Sequence, residues 1–274
     1  MNAPSQLDRK KYRTVWISDV HLGYKGCKAD YLLHFLCVTD CKYLYLVGDI
    51  FDLWSLKRSF YWPQVHNAVV REILAKAKAG TKVIYVPGNH DELLRDYHGM
   101  SYGNVIVRNK YVHHSVNGER VLILHGDEFD GVIKCGRLAT FFGNKAYDFL
   151  LYVNRVFNHF RRRFGLPYWS LAKFMKTKIK NAMQHVENFE RAASYEAGKR
   201  GCSAVVCGHI HHAEIKKING IMYMNTGDWV ENCTAMVEHL DGAIELLHWS
   251  EMSHTVKSFP IQHNSNKENT SKAA

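Results

Sequence analysis

Five short apolar runs punctuate the chain: RTVWIS (13–18), KYLYLV (42–47), KVIYVP (82–87), RVLIL (120–124) and AVVC (204–207). They are rich in β-branched and aromatic residues, the composition of strands. Helical spacing occupies 28–38 and 62–79, between the first three runs, and predicts βαβ units with a partly parallel sheet. The Asn-Gly of VNGER separates YVHHS from RVLIL and predicts a hairpin. Two further hairpins are expected at KKINGIMYM and VEHLDGAIELLHW.

The stretch 131–200 reads differently. Phe149, Val153, Val156 and Phe160 recur at i, i+4, i+7 and i+11, one face of a helix. RRRFGLP breaks that pattern with Gly165 and Pro167. A second stripe runs through Leu171, Met175, Ile179, Ala182 and Val186, with Lys173, Lys176 and Lys180 on roughly the opposite side. Two amphipathic helices are expected, inserted into a domain spanning 13–250. From 252 to 274 the chain turns polar, as a disordered tail does.

The residues directly after each strand carry the chemistry. SDVHLG presents Asp19 and His21, and GDIFD presents Asp49 and Asp52. GNHDE presents Asn89, His90 and Asp91; HGDEFD presents His125 and Asp127; GHIHH presents His209 and His211. In α/β sheets ligands bind beyond the carboxyl ends of strands. Five strand ends delivering Asp, His and Asn to one place form a candidate site for a pair of divalent ions. Oxygen and imidazole donors without thiolate suit manganese, iron or zinc. No Ser or Cys lies in a nucleophile motif, so water is the expected attacking group. Asp52 reads either as a cap for the next helix or as a support for a ligand. His113 and His114 read as surface or packing residues, and His212 as a rim residue.

In order, these motifs resemble the calcineurin-like metallophosphoesterase superfamily, whose pattern is D-x-H, G-D, G-N-H-D, H and G-H-x-H. The resemblance implies an α/β fold, a four-layer αββα sandwich, with the helical insertion as a lid. It further implies that Asp19, His21, Asp49 and His211 hold one metal. Asp49, Asn89, His125 and His209 would hold the second, His90 would serve the leaving oxygen, and Asp91 would orient His90. A helical insertion between HGD and GHxH makes the chain similar to the UDP-2,3-diacylglucosamine hydrolases of lipid A biosynthesis. Those enzymes are manganese-dependent, release UMP and sit peripherally on the bacterial inner membrane. They usually read G-N-R-D, where this chain has His90.

Charge sharpens the partner. The chain carries a net charge of +10. Residues 131–200 hold fourteen Lys/Arg against four Asp/Glu, which accounts for all of it. Basic residues interleaved with apolar helical stripes suit an anionic membrane surface or a lipid groove more than a nucleic-acid groove. Arg161, Arg162 and Arg163, with Asp127, are the expected substrate contacts. A nuclease or a protein phosphatase using the same metals is the alternative activity, and a scaffold that has given up catalysis would be expected to have lost ligands. No apolar run reaches the 18 residues of a membrane span. The N-terminal segment lacks a signal-peptide core, and seven cysteines without a C-x-x-C pair fit a reducing cytoplasm. The pattern leaves the oligomeric state open.

Overall fold

The computed structural model describes residues 9–130, Arg163 and residues 171–252. Arg163 is helical and exposed. The stripe 149–160, Arg161, Arg162, the Gly165–Pro167 break and the tail beyond 252 lie outside the described residues.

Two sheets stack face to face. The first contains β1 (Lys10–Ile17), β2 (Thr39–Val47), β3 (Lys82–Val86), β4 (Ser101–Tyr102), β5 (Val105–Val107), β11 (Thr234–Glu238) and β12 (Ile244–His248), in the order β12-β11-β1-β2-β3-β5-β4. The second contains β6 (Tyr111–His114), β7 (Arg120–Ile123), β8 (Ala204–Cys207), β9 (Glu214–Ile218) and β10 (Ile221–Asn225), in the order β6-β7-β8-β10-β9. β1, β2, β3 and β5 run parallel, as do β7, β8 and β10. Antiparallel pairs complete both sheets at their edges, including all three hairpins expected from the sequence.

Side-chain alternation explains the layering. Trp16, Tyr45, Val47, Ile84 and Val86 face inward and meet Val121, Ile123, Ala204, Val206 and Met224 of the opposite sheet. Val15, Ile17, Leu44, Leu46 and Val83 point outward, under α1 (Ala29–Val38) and α3 (Gln64–Lys78). α2 (Leu53–Arg58) stands at the site edge of this layer, and α5 (Trp249–Met252) closes its far side. On the second sheet the outer layer is α4 (Leu171–Lys199). Phe189, Ala193 and Ala197 of α4 pack on Leu122, Val205 and Tyr223. The later part of the 131–200 segment therefore serves as a layer of the αββα sandwich.

Candidate metal centre

Where β1 ends, Ser18 leads into Asp19, whose N–H donates to the Gly48 carbonyl at 3.0 Å. His21 N–H donates to the Asp49 carbonyl at 2.9 Å, and Leu22 N–H to the Ile50 carbonyl at 2.8 Å. The loops after β1 and β2 are thus zipped together by backbone bonds. The fit requires unusual dihedrals: Asp19, His21, Asp49, His209 and His211 have φ of 51°, 56°, 54°, 70° and 54°. Asp and His tolerate this left-handed region better than most side chains, yet such conformations still cost about 1–3 kcal/mol each and cluster at functional sites. Two glycines give the side chains room. A Cβ on Gly88 would collide with Asp49 Oδ1 and the His125 ring, and one on Gly208 would collide with Asp19 Oδ2 and Ser18.

The loops bring the expected ligands together. Three overlapping groups each have their donor atoms within 4.8 Å: Asp19, His21 and His211; His21, Asp49 and His90; Asp49, His125 and His209. Asp49 links the second and third, with its Oδ2 at 3.4 Å from His125 Nε2 and 4.0 Å from His21 Nε2. Asp19 Oδ1 lies 3.2 Å from His211 Nε2. Asp19, Asp49, His21 and His125 are buried; Asn89, His209 and His211 are half-buried.

The donors fit a pair of cations. His21 Nε2, Asn89 Oδ1 and His125 Nε2 are buried with no hydrogen-bond partner. A carbonyl can only accept, so the 2.9 Å contact of His125 Nδ1 with the Val47 carbonyl places its proton on Nδ1. Its inward Nε2 is therefore the nitrogen that would ligate a metal, a cation displacing any proton held there. The unpartnered indole N–H groups of Trp16 and Trp229 are donors and cannot ligate. His209 Nε2 contacts Asp130 Oδ1 at 2.8 Å, which leaves Nδ1 as its other donor.

Electrostatics support the same fit. Burial alone would raise the Asp19 carboxyl, but His211, then His125 and His21, hold it below the usual carboxylate range. Burial would likewise raise the Asp49 carboxyl, and His125 outweighs it and holds Asp49 low. Conversely, burial would depress His125 and His211, yet Asp49 pushes His125 up to about 10 and Asp19 pushes His211 up to about 9. The carboxylates are thus held ionised, as ligands to a cation must be, with imidazole protons in the positions a cation would take.

Around the ligands stand groups that orient them. His90 Nδ1 lies 3.1 Å from Asp52 Oδ1, while Asp52 Oδ2 lies 3.4 Å from His21 Nδ1. Asp52 also caps α2, accepting the Ser55 N–H at 2.7 Å, so both readings of this residue hold at once. The expectation that Asp91 orients the His90 ring is corrected here. The Asp91 carboxylate accepts the N–H groups of Gly88 at 2.6 Å and Ile50 at 2.8 Å, and the Tyr85 hydroxyl at 2.5 Å. It pins the loops after β2 and β3 instead. Burial pushes its pKa upward. Asp127 has both carboxylate oxygens on Arg95 Nη2, at 2.7 and 2.8 Å, tying the turn after β7 to the segment after His90. Asp130 closes the HGDEFD stretch without being singled out there, and Arg95 stands in none of the motifs. Trp54 of α2 lies against the His90 ring, with centroids 4.2 Å apart.

Residues 12–213 match the family model of the calcineurin-like phosphoesterases. Among curated proteins, a UDP-2,3-diacylglucosamine hydrolase from Wigglesworthia glossinidia brevipalpis is 21% identical, covering 91% of this chain and 99% of its own. One from Neisseria gonorrhoeae is 26% identical, covering 83% and 93%. A solved phosphoesterase from E. coli aligns over 86% of this chain and 98% of its own, with 14% identity and a TM-score of 0.41.

Proposed function

We propose that this chain, which belongs to the calcineurin-like phosphoesterase family, hydrolyses the pyrophosphate of a UDP-2,3-diacylglucosamine-like lipid and releases UMP. The observation that carries the substrate is the near end-to-end match to relatives of that name, up to 99% of the relative's length. The family is one of hydrolases, and the metal-competent Asp/His groups are all present.

Asp19, His21, Asp49 and His211 would hold one divalent ion, and Asp49, Asn89, His125 and His209 the other; manganese is the proposed metal, ahead of iron or zinc. When bound, such ions neutralise phosphate oxygens and make water nucleophilic at neutral pH. The protein's own residues do the rest. Asp52 accepts from Nδ1 of His90 and leaves Nε2, 4.0 Å from Asp49 Oδ2, facing the ligand cluster. A proton held at that Nε2 is placed to meet the leaving oxygen. Arg161, Arg162 and Arg163 are proposed to meet phosphate or anionic headgroups, and the enzyme to work at the cytoplasmic face of a bacterial inner membrane. No helix among the described residues is long and apolar enough to cross a membrane.

His90 in place of the arginine usual in the lipid A hydrolases favours a second reading within the same chemistry. The substrate would then be a related lipid pyrophosphate or phosphodiester. Mass spectrometry of products from a panel of lipid and nucleotide pyrophosphates decides. UMP and an acylated sugar phosphate are expected from UDP-2,3-diacylglucosamine; turnover of other diesters with none of that lipid would sink the first reading. Neutralising Arg161, Arg162 and Arg163 together should weaken binding to anionic liposomes by roughly two orders of magnitude, at about 1 kcal/mol per residue. Wild-type binding by that variant would remove the basic cluster from the membrane contact.

A further inference from the structure

The segment directly after Asp49 presents a surface that the core leaves open, and of its exposed side chains Trp54 alone is seen to touch the site, through the His90 ring. α2 reads LWSLKR, half of it apolar, yet none of its residues is buried. Trp54 is 45% exposed, and Phe60, two residues past the helix, is 82% exposed. Lys57 and Arg58 lie three and four positions beyond Trp54, on the same helical face, and both are exposed. The neighbouring loop after His21 extends this surface. Its Gly23 abuts Leu56, Tyr24 is 43% exposed, and the exposed Lys25 has its ammonium 5.9 Å from the Tyr61 ring. Residues 53–62 contain no Asp or Glu.

We propose that this face, formed by Trp54, Lys57, Arg58 and Phe60 with Tyr24 and Lys25, docks on an anionic phospholipid surface. Aromatic rings among lysines and arginines match the headgroup layer, where amphipathic rings sit and basic side chains meet lipid phosphates. Charge argues against the chain covering the face with its own segment. Residues 131–170 carry seven Lys/Arg and one Asp/Glu, so two positive surfaces would have to meet. Both instead favour the same anionic partner. Because Asp52 begins α2 and also contacts His21 and His90, docking here sets the mouth of the metal cluster at the lipid interface. The inference rests on the lipid-substrate reading for its purpose, and its physical content is tested separately.

The test uses the full chain loaded with manganese and co-sedimented with phosphatidylglycerol/phosphatidylcholine vesicles, beside vesicles of phosphatidylcholine alone. Wild type should bind the anionic vesicles. The double variant Lys57→Ser/Arg58→Ser should bind about 25-fold more weakly, at about fivefold per basic residue. Phe60→Ser should lose on the order of tenfold through the apolar area it no longer inserts. Hydrolysis of a short, water-soluble phosphodiester should be unchanged in both, which also shows that they fold. Wild-type vesicle binding by both variants would overturn the proposal. So would absence of vesicle binding by the wild type, or a dimer in sedimentation velocity that Phe60→Ser dissociates, since a second copy would then cover the face. UMP release from the detergent-solubilised lipid is scored independently, so the substrate reading can fail while the docking face stands, or the reverse.

Discussion

Two polar clusters lie in this sandwich, and they are built on opposite plans. One is the strand-end group of Asp19, His21, Asp49, His125, His209 and His211. The other sits between the sheets, five residues or about 16 Å back along β1. There His113 of β6 contacts the Tyr45 hydroxyl at 2.9 Å and Glu238 at 3.1 Å. Glu238 also accepts the Thr14 hydroxyl at 2.6 Å and the Val116 N–H at 2.8 Å, and pairs with Arg13 Nε at 3.3 Å. Backbone strain separates the two: five members of the strand-end group have left-handed φ, and none of the inter-sheet group does. The inward-facing nitrogens of His21 and His125 have no hydrogen-bond partner, whereas both nitrogens of His113 are engaged, and in the inter-sheet group Arg13 Nε, ion-paired to Glu238, is the one buried nitrogen without a hydrogen bond. Buried polar groups in proteins are normally satisfied. A cluster that is satisfied fastens the fold, and one that is strained and unsatisfied is waiting for a ligand.

The two clusters should differ most at Asp49. Asp49→Ala removes the carboxylate shared by two of the candidate ligand groups, so turnover should fall to background and metal content should drop on elemental analysis. Normal activity in the metal-saturated variant would dissolve the distinction between the clusters. His90 comes next. His90→Gln should lower turnover about 10²–10⁴-fold, the usual worth of a general acid, while metal stoichiometry stays near wild type. Parallel loss of metal would move His90 into the ligand set.

The strand ends were legible because each ends a dense apolar run, and Asp, His and Asn directly after such a run have little structural reason to recur five times. The β4–β5 pair escaped notice because two and three residues are too few to show a period. Adjacency misled the reading of Asp91. It stands next to His90 in sequence, but the turn directs its carboxylate toward the Gly88 and Ile50 N–H groups, and Asp52, thirty-eight residues earlier, reaches the ring. His113 looked like a packing residue and is one, though its polar partners lie on three other strands that no local pattern reveals. Asp130 meets His209 across seventy-nine residues, a contact only the folded topology produces.

A carboxylate on the outer nitrogen of a metal-binding imidazole fixes the ring and raises its basicity. Asp130→Ala should weaken metal affinity about 10–100-fold, read by competition with a chelating dye. Its melting temperature without metal should match wild type, because the Asp130 side chain is exposed and its one contact among the described residues is the ring. An unchanged metal affinity would leave the Asp130–His209 pair a surface contact.

The smallest effect is expected at the satisfied cluster, and it should be one of stability rather than turnover. Burial opposes ionisation of Glu238, but His113, Thr14 and the Val116 N–H reverse that and hold its pKa below the ordinary value of 4.5. A carboxyl depressed in the folded state binds fewer protons there than in the unfolded chain. Its stabilisation is therefore present above about pH 4.5 and is lost as pH falls through the lower, folded value. Glu238→Gln should cost about 1–3 kcal/mol at neutral pH, the range for leaving buried donors poorly matched. Urea titrations at successive pH values should show the gap between variant and wild type closing on the acid side. Hydrolysis of a soluble phosphodiester at room temperature should be unaffected, since the candidate metal ligands stand at the far end of β1. A gap that stays constant down to about pH 3, below the ordinary carboxyl range, would mean that Glu238 is held by shape alone. A fall in turnover at full folding would mean that the two clusters are coupled through the strands they share.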